Sequence, residues 1–154
     1  MKPSHLALFG VLITGACGHA PRPVTFGTQA PPPAAVDRAA ASLARHGHPV
    51  AAIDRREASV TTYWEDTGYR YRETDDLEDE TNIFLRFHVA VRPAPTGSEV
   101  TISAEAQRCV PHRAVVTRDG VQSTCVKMNR LITSHQRVVD ELGRTLAASI
   151  ASSG

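Results

Sequence analysis

Aromatic side chains are scarce: four Phe, three Tyr and one Trp in 154 residues. A core drawn from this chain has to rest on Val, Ile, Leu and Ala, each buried methylene contributing about 0.8 kcal/mol. A dominant charge is missing as well. Lys and Arg number 17 against 16 Asp and Glu, so no overall field points to nucleic acid or to an acidic substrate. After residue 17 there is no long apolar run, and nothing there supplies the roughly 20 residues that a membrane-spanning helix needs. Gly-rich phosphate loops, HExxH pairs, G-x-S-x-G elbows, nucleic-acid motifs and internal repeats do not occur. Cysteine is nearly absent, with Cys17, Cys109 and Cys125 the only three.

What is present begins at the first residues. Lys2 provides a positive start, His5 to Thr14 is an apolar segment, and Gly15 and Ala16 are two small residues in a row. Charged start, short apolar core and small-residue site together form a secretory signal peptide, here residues 1–16. The apolar run is about ten residues, half the length of a bilayer span, so it reads as an export signal. Cys17 follows the small residues directly, and Gly15-Ala16-Cys17 resembles the lipobox of bacterial lipoproteins, with Thr14 where that family prefers leucine. The resemblance implies that Cys17 becomes the amino terminus and carries acyl chains that anchor the protein to a membrane. Gly18 follows the cysteine, whereas aspartate at that place marks inner-membrane retention. The implied address is therefore the inner leaflet of the outer membrane, facing the periplasm.

With Cys17 assigned to lipid, Cys109 and Cys125 remain as an even pair in an oxidising compartment. A bridge between them closes a loop of about 15 residues, worth roughly 3 kcal/mol in the chain-entropy model. The other reading is two buried free thiols. Neither belongs to a Cys-x-x-Cys unit, which argues against metal.

Residues 17–33 recur to proline (21, 23, 31, 32 and 33) and read as an unstructured tether, leaving residues 34–151 as one domain. A helix is expected over 34–46, closed by Gly47 and Pro49. Strands are expected over 50–54 and 58–64, the second with Val60, Thr62 and Trp64 on one face and Ser59, Thr61 and Tyr63 on the other, and Trp64 is read first as the largest core side chain. The pattern breaks over 65–82, where Gly68 to Arg72 could extend a strand before the acidic block takes over. Ile83 to Arg92 alternates strictly, as does Glu99 to Cys109, and the turn at Pro93, Pro95 and Gly97 makes them a hairpin. Asp119-Gly120 marks a smaller hairpin between 114–117 and 121–126. A last helix runs over 134–150, with Thr133 and Gln136 as a capping box and Val138, Val139, Leu142, Leu146 and Ile150 as its buried stripe. The expected fold class is α+β: a four-stranded antiparallel sheet with two helices packed on one face, in α-β-β-β-β-α order. In element order it is similar to the small helix-grip-like domains of outer-membrane assembly lipoproteins of the BamC type.

Four groups of side chains merit weighing. His46 and His48, with His88 and His112 elsewhere, are imidazoles of the kind metals use, but the first two straddle a helix end, where histidine meets the last carbonyls. His88 and Glu105 share the polar face of the expected hairpin, as an acid–base pair or as ordinary cross-strand neighbours. Ser59, Ser98, Ser103 and Ser134 lack a nucleophile context. The block Asp75, Asp76, Glu78, Asp79 and Glu80 lacks calcium-loop spacing and reads as a solvated loop or a docking strip for a basic partner, with Tyr63, Trp64, Tyr69 and Tyr71 preceding it. The expectation is a non-catalytic binding or assembly-support module with no cofactor, no resident metal and no nucleic acid. It would contact the membrane through Cys17 and an envelope protein through the acidic strip or the polar sheet face. Its rivals are a small periplasmic enzyme or metal carrier and a purely structural envelope lipoprotein.

Overall fold

The computed structural model describes residues 20–71, 81–117 and 120–151. Seven strands and two helices follow one another as β1 (Val24–Thr28), α1 (Pro32–Arg45), β2 (Val50–Asp54), β3 (Ser59–Thr62), β4 (Glu65–Tyr71), β5 (Thr81–Ala94), β6 (Gly97–Thr117), β7 (Gly120–Met128) and α2 (Thr133–Ala151). All strands join one antiparallel sheet. The α+β class holds, while the expected four strands and the expected order are corrected: the described residues form seven, and a strand precedes α1.

The β5–β6 hairpin is the axis. Its register runs from Asn82 opposite Cys109 to Ala94 opposite Gly97. Strict alternation explains why: Ile83, Leu85, Phe87, Val89 and Val91 of β5 are buried, as are Val100, Ile102, Ala104 and Ala106 of β6, and a slip of one residue would expose all of them. Two short strands share each outer edge. β3 and β4 follow one another along β5, and β1 and β7 along β6. Gly97 permits the tight end of the hairpin. Its φ is +133°, and a Cβ there would lie 2.1 Å from the Thr28 carbonyl oxygen, so the turn sits directly against the end of β1.

Both helices cover one face. Ala35, Val36, Ala39, Ala40 and Leu43 of α1 and Val139, Leu142, Leu146 and Ile150 of α2 join the buried strand residues in a single cluster. Arg38 and Arg45 of α1 clasp the last turn of α2, donating to the Ile150 carbonyl (3.2 Å) and to the Ser149 hydroxyl (2.8 Å). The residues expected to form an unstructured lead up to Pro33 include β1 and the start of α1. Their alternation (Val24, Phe26 and Thr28 half-buried, Thr25 and Gly27 exposed) finds a partner in β6 only through register with Ile102 to Ser98. Such long-range pairing leaves little local signal in a Pro-rich text. Gln136 completes the attachment: its side chain accepts from the Arg22 backbone N–H and donates to the Arg22 carbonyl, both at 2.9 Å. It therefore serves as a clamp on the N-terminal segment instead of the expected capping box, and Val138 lies exposed beside the buried stripe.

A one-residue β-bulge separates β3 from β4. Thr61 stands opposite His88 and Glu65 opposite Leu85, so Tyr63 and Trp64 together face Arg86. The extra residue inverts the alternation beyond it. Trp64, expected in the core, turns to the helix-free face, where the Arg86 guanidinium lies 4.6 Å from its ring centre. Glu65 turns inward, and the strand that 68–72 could have formed begins three residues earlier, at Glu65. The bulge leaves the Phe87 backbone N–H without a ladder acceptor, and the buried Thr62 hydroxyl receives it at 3.0 Å while donating to the Tyr63 carbonyl at 3.0 Å. Replacing Thr62 by Val keeps the volume and strands that N–H, so unfolding should become about 1–3 kcal/mol easier. Thr62→Ser should recover most of the loss. Urea denaturation of the three proteins makes the comparison.

Candidate functional site

The sequence candidates separate once the strands are in register. His46 closes α1, its Nδ1 2.8 Å from the Ser42 carbonyl oxygen. His88 lies on the helix-free face with Nδ1 3.1 Å from the Thr61 hydroxyl. Glu105 shares that face but is held by Arg86 and by Lys127 Nζ at 3.1 Å; the Arg86 hydrogen bond, and after it Lys127, holds its carboxyl below the usual range. His88 and Glu105 therefore serve different partners. Ser98 is buried and donates to the Ala30 carbonyl at 2.7 Å, and Ser103 donates to the His88 carbonyl. Cys109 and Cys125 are cross-strand neighbours joined as a disulfide, with Cα atoms 4.1 Å apart. Cys17, the acidic residues Asp75, Asp76, Glu78, Asp79 and Glu80, and the side chains of Tyr71 and His112 lie outside the described residues.

Polar groups converge elsewhere, in a cleft of about 260 Å³ between β4 and the first turn of α2. His48, Glu65, Asp66, Tyr69, His135 and the apolar Leu85, Phe87 and Val138 face it. Each arrives by a distinct local device. His48 is delivered by a Schellman ending of α1: the Gly47 N–H bonds the Ala44 carbonyl (3.2 Å) and the His48 N–H bonds the Leu43 carbonyl (3.0 Å), with Gly47 in the left-handed region at φ +85°. Its ring meets Phe87 edge-on at 5.0 Å, and its Nδ1 lies 2.9 Å from Glu65 Oε2. Glu65 is brought inward by the bulge. His135 stands on the buried face of α2, 4 % exposed, with its ring 5.7 Å from that of Tyr69.

The hydrogen-bonding account of this cleft does not close. Among the described residues, Glu65 Oε1 and both ring nitrogens of His135 are buried without a partner. Each such atom costs about 1–3 kcal/mol, and groups left so in a folded protein call for an explanation. Burial pushes the His135 pKa below its ordinary value, so near neutrality the ring is uncharged, with one donor and one acceptor. Asp66 is different: the Gly68 N–H (2.9 Å) and Arg70 (3.0 Å) occupy its carboxylate and lower its pKa, the Gly68 bond foremost. No three His, Cys, Asp or Glu side chains among the described residues come together closely enough to hold a metal ion. A larger hollow of about 940 Å³ beside β1 and the end of α2 is lined by many small residues, Gly27, Ala30, Ala94 and Ser98 among them, and its Arg38 is already bonded to Ile150.

Sequence reasoning passed over both key residues. His135 could have been found, because it occupies the stripe continued by Val139, Leu142 and Leu146, where a titratable side chain is out of place. Glu65 could not, since its orientation depends on the bulge. Comparison with known proteins returned no matching family model and no matching curated protein.

Proposed function

We propose that the protein is exported, anchored by lipid at Cys17, and acts as a non-catalytic binding or assembly-support module of the bacterial cell envelope, facing the periplasm from the outer membrane. The observation that carries this reading is the disulfide between Cys109 and Cys125. Such a bond belongs to an oxidising compartment, and it leaves Cys17, directly behind Gly15 and Ala16, as the cysteine over. No helix among the described residues is long and apolar enough to cross a membrane; the anchor in this reading is the lipid.

The clamp on Arg22 supports a close attachment. Between Cys17 and Val24 a fully extended chain spans at most roughly 25 Å, so the end of the domain bearing the first turn of α2 stays near the bilayer. The helix-free sheet face is then free to meet a protein partner. It presents Trp64 stacked with Arg86, the Glu105–Lys127 pair and, at its border, Tyr63 with 58 % exposure. Trp, Tyr and Arg dominate interface hot spots. The acidic strip at 75–80 is the second proposed contact.

Expression of the full chain with labelled fatty acid tests the anchor. The unaltered protein should incorporate label and sediment with the outer membrane, and Cys17→Ser should do neither while still being exported. A Cys17→Ser product that fractionates with the membrane, or an unaltered protein without label, removes the reading.

A further inference from the structure

We propose that the cleft between β4 and the first turn of α2 binds a primary ammonium group carried on a short apolar stem. The unpartnered acceptors define the head group. Glu65 Oε1 accepts hydrogen bonds only, and one ring nitrogen of His135 accepts as well. A ligand head that satisfies both acceptors must carry at least two N–H bonds, as an ammonium with its three does.

The charge balance selects the same head. Among the described residues, four titratable groups besides Tyr69 face the cleft: His48, Glu65, Asp66 and His135. Asp66 is balanced by Arg70. Among the described residues, Glu65 has the His48 imidazole as its one ion-pair neighbour, and His135 brings no charge near neutrality. The first turn of α2 opposes a cation, but a helix end acts as about half an elementary charge, against the full charge of Glu65. A carboxylate or phosphate ligand would meet Glu65 directly and is disfavoured. Rings surround the site, with Tyr69 and Phe87 alongside the two histidines, and a cation over such faces gains further.

Size limits the stem. Pockets for drug-sized ligands begin near 300 Å³, so 260 Å³ admits a few heavy atoms packed on Leu85, Phe87 and Val138. A small free amine and a lysine side chain displayed by a partner share this chemistry. Neither depends on the lipid anchor.

The test uses the purified, ¹⁵N-labelled full chain, with His135 ring nitrogens followed by NMR during titration. n-Butylammonium should shift them saturably, while n-butanol and butyrate should not. Glu65→Gln should weaken the ammonium about 10- to 100-fold, the equivalent of one hydrogen bond to a charged group. His135→Leu, followed through the backbone amides of Tyr69 and Val138, should abolish binding and raise the melting temperature, because it removes two stranded polar atoms; a purely structural histidine would lower it. Nα-acetyl-lysine methylamide separates the sources: binding as tight as n-butylammonium assigns a displayed lysine, and binding of n-butylammonium alone assigns a free amine. The proposal is overturned if n-butanol or butyrate binds as well as the ammonium. It is equally overturned if zinc chloride moves the ring signals while the amine does not, or if Glu65→Gln leaves amine affinity unchanged.

Discussion

Phe87→Ala should lower the unfolding free energy by about 3–5 kcal/mol and the melting temperature by about 10–20 °C. Phe87 is the largest fully buried side chain among the described residues, at 1 % exposure, in a core otherwise made of Val, Ile, Leu and Ala. Its neighbours cannot collapse into the space. The ring sits at the centre of the long β5–β6 hairpin, with backbone fixed on both sides by the ladder and by Thr62. The loss is a large part of the 5–15 kcal/mol typical of a whole domain. The same ring is the floor of the cleft and the edge contact of His48, so whatever folded protein remains should also lose its affinity for n-butylammonium. Phe84 stands on the opposite face and is only half-buried. Phe84→Ala should cost clearly less and leave the cleft intact. Equal losses in the two variants, read by calorimetry, would mean that Phe87 does not hold the core.

The contrast between Phe84 and Phe87 marks what can be read directly from the text. Where burial alternates without interruption, as from Ile83 to Val91 and from Val100 to Ala106, period alone assigns every side chain to its face. The helices follow from the same logic at period 3.6, and Gly47 closes α1 as its position suggests. What escapes depends on partners far away in the chain. β1 exists because β6 offers an edge 70-odd residues on, at Ser98 to Ile102. The bulge at Tyr63-Trp64 exists because Thr62 can satisfy the amide it strands. One extra residue there exchanges the expected roles of an aromatic and a carboxylate, putting Trp64 outside and Glu65 within. The most informative site thus arises where the local rule fails, and bulges are known to re-aim side chains in this manner. His135 is the complementary case: visible on the apolar stripe of α2 as an anomaly, yet without meaning until Glu65 and Tyr69 stand next to it.

Removing the disulfide should cost about 3 kcal/mol, the chain-entropy value for a closed loop of about 15 residues. Cys109 and Cys125 are separated by 16 positions and face one another across β6 and β7. Their location adds a second effect. Next to them the ladder slips: Cys109 pairs with Cys125, but the next pair is Ala114 with Ser123, so β6 carries three residues more than β7 over this interval. A ladder with such an irregularity can re-pair at small cost, and a one-residue shift would exchange the faces of β7. The covalent link fixes the register at the point where hydrogen bonding alone specifies it least. Cys109→Ser with Cys125→Ser should therefore lower stability and, in hydrogen exchange, deprotect β7 well before the β5–β6 hairpin, whose apolar face stays buried under both helices. Reduction of the unaltered protein should reproduce both effects. The bond also bears on the compartment. In intact cells an exported protein should resist alkylation at Cys109 and Cys125 until a reductant is added, whereas the same domain made without its first sixteen residues should react at both. Free thiols at these positions in the exported form would separate the fold from the oxidising address and remove the support it lends to a place in the envelope.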